Sequence, residues 1–255
     1  MKKLISLLMV AVMALSLVAC GNSAQTQGTP ETLKIGYTIY EPMNFLDEAG
    51  KLTGFDTEFA EAVCAKLGKT PEFIEINWDT KFPTLDAGQI DCIWNGMTIS
   101  NEVKTNCAVS KAYVMNAQVV VMAKDKLDTY KDVASLKELR FAAEAGSAGE
   151  TAIKENGLDG KYVPVAAQTD ALLAVAGGQA DACVIDITMA NASTAEGTSY
   201  DKLGYAIELT KEEYGIGFRL KDTELLENVN KAIDELASEG KLKELAEKYN
   251  LTLAF

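Results

Sequence analysis

The chain has 255 residues, with 24 Lys and Arg against 37 Asp and Glu, a net charge of −13, and no histidine. The missing imidazole excludes Ser-His-Asp and Cys-His nucleophile systems, His-ligated zinc and haem, and the usual proton shuttle near neutral pH. The acidic balance argues against nucleic-acid partners, which need Lys and Arg patches to replace counterions. A hydrophobic content of 48% and a charged content of 24% are those of a folded globular protein, and the length allows two domains or one large one.

Met1-Lys2-Lys3 is a short positive segment, followed by an uncharged apolar run from Leu4 to Ala19. That run is too short and wrongly flanked for a membrane span and reads as a signal segment over residues 1–19. It ends Leu17-Val18-Ala19-Cys20, which resembles the lipobox of bacterial lipoproteins. The resemblance implies cleavage before Cys20, acylation of Cys20, and an anchored extracytoplasmic protein. Residues 20–30, rich in Gly, Ser, Gln and Thr, read as a flexible tether.

Strand and helix signals then alternate. Leu33–Tyr37 reads as a strand. Phe55, Phe59, Ala62, Val63 and Leu67 follow helical spacing, which Gly68 closes. Glu72–Asn77 alternates like a strand, 80–87 is a short helix, and Ile90–Trp94 is another strand. Asn116–Ala123 is one buried, β-branched strand. A second series follows: strand 141–143, helix 151–156, strand 161–165, helix 171–176, strand 182–187. Tyr214–Leu220 is extended. Leu225, Val229, Ile233 and Leu236 make an amphipathic helix ended by Gly240, and 241–249 is a last helix. Cys64, Cys92, Cys107 and Cys183 form no metal-ligand spacing. They suit buried small hydrophobes as well as disulfides.

One internal echo links the two series. Gly88-Gln89-Ile90-Asp91-Cys92 is repeated as Gly178-Gln179-Ala180-Asp181-Ala182-Cys183. Each copy follows an Ala/Leu helix and precedes an apolar strand. Five residues beyond each Asp stand Gly96 and Asp186. In open α/β sheets ligands sit beyond the carboxyl ends of strands, so two such sheets facing each other would set 95–98 across a cleft from Asp186.

From about residue 32 onward the sequence resembles the amino-acid-type (family 3) extracellular solute-binding proteins of ABC importers. Thr38-Ile39-Tyr40-Glu41-Pro42-Met43, Gly50-Lys51-Leu52-Thr53-Gly54-Phe55-Asp56, Asn95-Gly96-Met97-Thr98-Ile99-Ser100, Ala145-Gly146-Ser147-Ala148-Gly149-Glu150, Ala182-Cys183-Val184-Ile185-Asp186 and Tyr214-Gly215-Ile216-Gly217-Phe218 carry it, in order. The resemblance implies an α/β, two-lobed type II periplasmic-binding fold with two hinge-crossing strands, near 119–124 and 213–218. Lobe 1 would be 31–118 plus 216–255, and lobe 2 would be 119–215. It implies a monomer that closes on a small ligand and is read by ABC permease subunits, with no cofactor, no metal and no catalysis.

It also implies a site. Asp186 would accept from a ligand ammonium, with Thr98 and the Gly96 carbonyl as further acceptors and Asn95 beside them. Ser147 and the Ala148 and Gly149 amides, at a helix start, would suit an anion or carbonyl. Tyr37 and Tyr40 would form an aromatic wall, with Trp78 and Trp94 as nearby candidates. The departure is Val103, where α-amino-acid binders of the family usually carry an Arg that grips the carboxylate bidentately. Glu144 sits where the family often contacts the ligand side chain. Two readings stay open. One is a cationic amine lacking a free carboxylate. The other is an amino acid held by the Ser147 loop or by a displaced Arg140 or Arg219. A sensory receptor component, and a dehydratase using a cleft carboxyl as general acid, are further alternatives.

Overall fold

The computed structural model describes residues 31–255; the expected signal segment, Cys20 and the tether lie outside the described residues. In chain order the first part holds strand β1 (Thr32–Tyr37), the small hairpin β2 (Phe45–Leu46) and β3 (Leu52–Thr53), helix α1 (Phe55–Leu67), β4 (Thr70–Glu75), α2 (Lys81–Asp86), β5 (Cys92–Thr98), α3 (Asn101–Asn106), β6 (Ala108–Val109) and β7 (Val114–Asn116). The second part runs β8 (Gln118–Ala123), β9 (Phe141–Glu144), α4 (Ala148–Glu155), β10 (Tyr162–Val165), α5 (Gln168–Ala176), β11 (Ala182–Asp186), α6 (Ile187–Ser193) and β12 (Leu203–Glu208). β13 (Glu212–Phe218), α7 (Thr223–Ser238) and α8 (Lys241–Lys248) complete the chain.

Two sheets result, ordered β4-β1-β5-β13-β6, with β7 pairing β13, and β10-β9-β11-β8-β12. β1 runs parallel to β4 and β5, and β9 runs parallel to β10 and β11. β13 and β8 return antiparallel against the middle strands β5 and β11. The chain changes sheet at Ala117 and again between Glu208 and Glu212. The single strand expected over 116–123 is therefore two strands, one in each sheet.

Period-two alternation buries both faces of the middle strands. Cys92 and Trp94 of β5 pack with Phe59 and Val63 of α1, while Ile93 and Met97 face Leu85 and Val103 on the other side. In the second sheet Val119 and Val121 point to the α5 side, and Val120 and Met122 join Ala152 and Ile153 of α4. Gly68 ends α1 in the left-handed conformation at φ 65°, with its N–H on the Ala65 carbonyl. The four cysteines of the described residues are all buried and unbridged.

The internal echo is a structural repeat. Asp91 accepts from the Lys34 backbone N–H at 3.0 Å and Asp181 from that of Arg140 at 2.9 Å. Lys34 lies on β1, beside β5, and Arg140 immediately precedes β9, beside β11. Each Asp also pairs with an arginine, Asp91 with Arg219 and Asp181 with Arg140. The same short sequence thus ties the start of each central strand to its parallel neighbour.

Candidate ligand-binding cleft

The carboxyl ends of β5, β9 and β11 converge on a cavity of about 440 Å³ between the two sheets. On β5 the cause is a bulge: Gly215 pairs Met97 and Gly217 pairs Ile93, so one β13 residue faces three on β5. Such irregularity re-aims a strand beside a site. It releases Asn95 and Gly96 from the ladder into the cavity wall. Gly96 sits at φ 55°, and a Cβ there would lie 2.7 Å from Cε1 of Tyr40, so only glycine fits. Its N–H donates to Oδ2 of the buried Asp56 at 2.6 Å. Asn95 is spent on structure, bonding Thr38 and Asn44.

Thr98 donates its hydroxyl to Oε2 of Glu212 at 2.7 Å, which leaves the hydroxyl oxygen free to accept. The same Oε2 receives Asn116 Nδ2 and Gln118 Nε2. Both amides also reach Oδ1 of Asp186, and Gln168 reaches Oδ2. Two carboxylates, Asp186 and Glu212, thus share one set of amide donors where the chain crosses between the sheets. Burial, and then the neighbouring Glu212 charge, push the Asp186 carboxyl up to about 6.

Across the cleft α4 presents its N-terminus. Ser147 caps it, its Oγ accepting from Glu150 N–H at 3.1 Å, and Glu150 Oε2 accepts from Gly146 N–H at 2.6 Å. Gly149 is set by close approach: a Cβ would lie 2.7 Å from the Val184 carbonyl of β11. Glu144 is buried, 3% exposed, and its Oε1 has no hydrogen-bond partner. Burial, and then Asp186, push its carboxyl up to about 8.

The sequence-stated site is brought together in part. Asn95, Gly96, Thr98, Val103, Glu144, Ser147, Ala148 and Asp186 all line the cavity. Tyr37 and Tyr40 do not. Tyr37 stacks edge-on against Phe73 at 6.2 Å. Tyr40 is buried behind Gly96, where its hydroxyl bonds Thr188 and Tyr214. The aromatic surface is supplied by Trp78 instead, while Trp94 lies in the core 5.0 Å from Phe59.

With Val103 in the usual Arg position, the cation that the structure brings to the pocket is Lys81. Its chain is buried, it lines the cavity, and its Nζ donates to the Gly146 carbonyl at 2.7 Å while lying 5.0 Å from the Trp78 ring. Burial lowers its pKa. A lysine one residue into a short helix carries no sequence signal for this; the contact is made across the cleft. Glu212, Gln118 and Gln168 also went unread, since each stands at the first residue of a strand or helix. The chain's two arginines are both elsewhere. Arg140 is exposed on Asp181, and Arg219 is held by Asp91, Asp222 and two carbonyls. No guanidinium is available to clamp a carboxylate here.

The sequence profile of the bacterial extracellular solute-binding proteins, family 3, matches residues 33–252. The chain belongs to that family. A probable histidine-binding protein of Campylobacter jejuni subsp. jejuni is 31% identical, with 98% of this chain and all of that one aligned. Among solved structures, an ancestral arginine-binding protein bound to arginine superposes with a TM-score of 0.79 at 32% identity, over 86% of this chain and 97% of that one. The ancestral amino acid-binding protein AncCDT-1, a precursor of cyclohexadienyl dehydratase, also superposes at 0.79, with 31% identity and 86% and 95% coverage. The solute-binding protein described here therefore has the two-lobed type II periplasmic-binding fold, with its cavity between the lobes.

Proposed function

We propose that the protein is the extracytoplasmic receptor of an ABC importer, lipid-anchored through Cys20, closing on one amino acid or related small amine. The lobes divide at the sheet crossings, 31–116 with 212–255 against 118–208; a boundary at 215 would cut β13 within its pairing to β5. The ligand ammonium sits against Asp186, with the Thr98 hydroxyl and Gly96 carbonyl as further acceptors. A ligand carboxylate meets the Ala148 and Gly149 amides at the start of α4, where the helix dipole favours an anion, with Lys81 nearby. The observation that carries the reading is Asp186, a buried carboxyl with three amide donors at a strand end facing the cavity. Relatives named for histidine and arginine binding support the ligand class.

A second reading, a cationic amine without a carboxylate, is favoured by Val103 and by the engagement of both arginines elsewhere. A melting screen over amino acids, their methyl esters and their decarboxylated amines tests both. A ligand at 100 times its Kd raises stability by about 2.7 kcal/mol. An amino acid that shifts the melt while its ester and amine do not establishes carboxylate recognition; equal shifts favour the amine. Asp186→Asn abolishes either shift while the melt stays cooperative. No shift with any nitrogenous solute removes the proposal, and turnover of a bound ligand would make the protein an enzyme.

A further inference from the structure

We infer that the cleft holds a second, distal cation subsite at Glu144, so that its ligand carries two separated positive centres. The inference rests on the reading of Asp186 as the first ammonium site and extends it to the far end of the ligand.

Glu144 ends β9, and Asp186 ends the neighbouring parallel strand β11. Adjacent strands lie about 4.8 Å apart, so both carboxyls fall within the span of one small solute. Glu102 and Glu155, also at the cavity, are exposed to solvent, and the other partly or fully buried acids here have their partners. Asp186 and Glu212 share amide donors, and Glu150 is tied to Gly146 and Lys154. Glu144 is the buried acid of this wall whose side chain receives no hydrogen bond, although it is 3% exposed and borders the cavity. A buried carboxyl without donors is costly, and a cation arriving through the cavity relieves that cost.

The protein's own groups do not relieve it. The charged and titratable neighbours of Glu144 are Asp186 on β11, Lys81 on α2, Asp170 on α5 and Tyr162 on β10. Only Lys81 is basic, and its ammonium is engaged by the Gly146 and Trp78 carbonyls, with no carboxylate within 4.0 Å among the described residues. An ammonium or guanidinium beside the two acids favours the ionised Glu144 carboxylate and so offsets the burial and the Asp186 repulsion that raise it. Trp78, at the cavity edge, offers a flat apolar face along which a methylene chain between two cations can lie.

The test pairs L-lysine with L-norleucine, which has the same chain length and lacks the terminal amine, and 1,5-diaminopentane with pentylamine. Calorimetric titration of the full protein is expected to give at least tenfold tighter binding for the dication in at least one pair. Glu144→Gln is expected to bring the two members of that pair within about twofold, chiefly by weakening the dication. Retained norleucine or pentylamine binding by the variant shows that its site is folded. If the monocations bind the unaltered protein as tightly as the dications, or if the preference survives Glu144→Gln, the distal subsite is wrong while the Asp186 reading stands. If no compound of either pair binds, and the wider screen also fails, both readings fall together.

Discussion

Asp56 shows what one side chain costs and returns. It is fully buried in α1, and burial pushes its carboxyl up to about 7 even though Gly96 N–H and the Tyr113 hydroxyl donate to it. Glu144 and Asp186 are raised as well, to about 8 and about 6. A carboxyl whose folded pKa exceeds its unfolded value stays protonated in the fold after it has ionised in the unfolded chain. Its stabilisation is complete below about pH 4 and is lost as pH climbs to the folded value, at up to about 1.4 kcal/mol per pH unit for each group. Ligand-free protein is therefore expected to melt lower at pH 8 than at pH 5. Asp56→Asn, which keeps an acceptor for Gly96, flattens the part of that slope below pH 7. A melt that is unchanged or rises over this range contradicts the assignment. The depressed carboxyl of Asp181, at about 2, acts only in stronger acid.

Among the elements, α4 is one whose start bears on the cleft. Ser147-Ala148-Gly149-Glu150 has the spacing of a capping box, a hydroxyl followed three residues later by an acid; Ser147 Oγ accepts from Glu150 N–H, while Glu150 reaches past Ser147 to accept from Gly146 N–H. Ser147→Ala removes the cap at about 1 kcal/mol, a fall of roughly 2–4 °C in melting temperature for a protein of this size. Because the cap fixes the start of α4, whose Ala148 and Gly149 border the cavity, ligand affinity is expected to fall with it. Unchanged affinity would show that the α4 amides do not face the ligand. Helices with clear apolar spacing, α1 and α7, were legible in the sequence to within two residues. α6 was not, because Ile187-Thr188-Met189-Ala190-Asn191-Ala192-Ser193 has no capping side-chain bond and no amphipathic stripe. Nor was β12, an edge strand whose partner β8 lies about eighty residues earlier.

At the scale of the whole molecule, besides the Asn116–Asp186 and Gln118–Glu212 bonds at the sheet crossings, two sets of contacts hold the lobes together around the cavity. Lys81 reaches the Gly146 carbonyl, and Tyr40 and Tyr214 meet Thr188 of α6. The first lies at the loop edge, where a Cβ on Gly146 would touch the Asp79 backbone at 3.0 Å. A charge-assisted hydrogen bond contributes about 1.5–3 kcal/mol, enough to shift an open–closed equilibrium roughly tenfold or more. Lys81→Gln is expected to enlarge the radius of gyration of the ligand-free protein in solution scattering and to weaken ligand binding about tenfold. An unchanged radius and affinity would show that this bond does not hold closure.

The sequence by itself determined the two α/β units, the repeat that anchors each central strand, and the strand ends that carry Gly96, Glu144 and Asp186. Those follow from local rules, namely alternation along strands, helical spacing and turn glycines, which act over a few residues. Only the tertiary structure decided that Lys81 and Trp78 enter the cleft and that Tyr37 and Tyr40 leave it. The same holds for the sharing of amide donors between Glu212 and Asp186, and for both arginines being spent elsewhere. Each of these depends on which side chains meet across some 35 to 175 residues of chain, and no local spacing encodes that encounter.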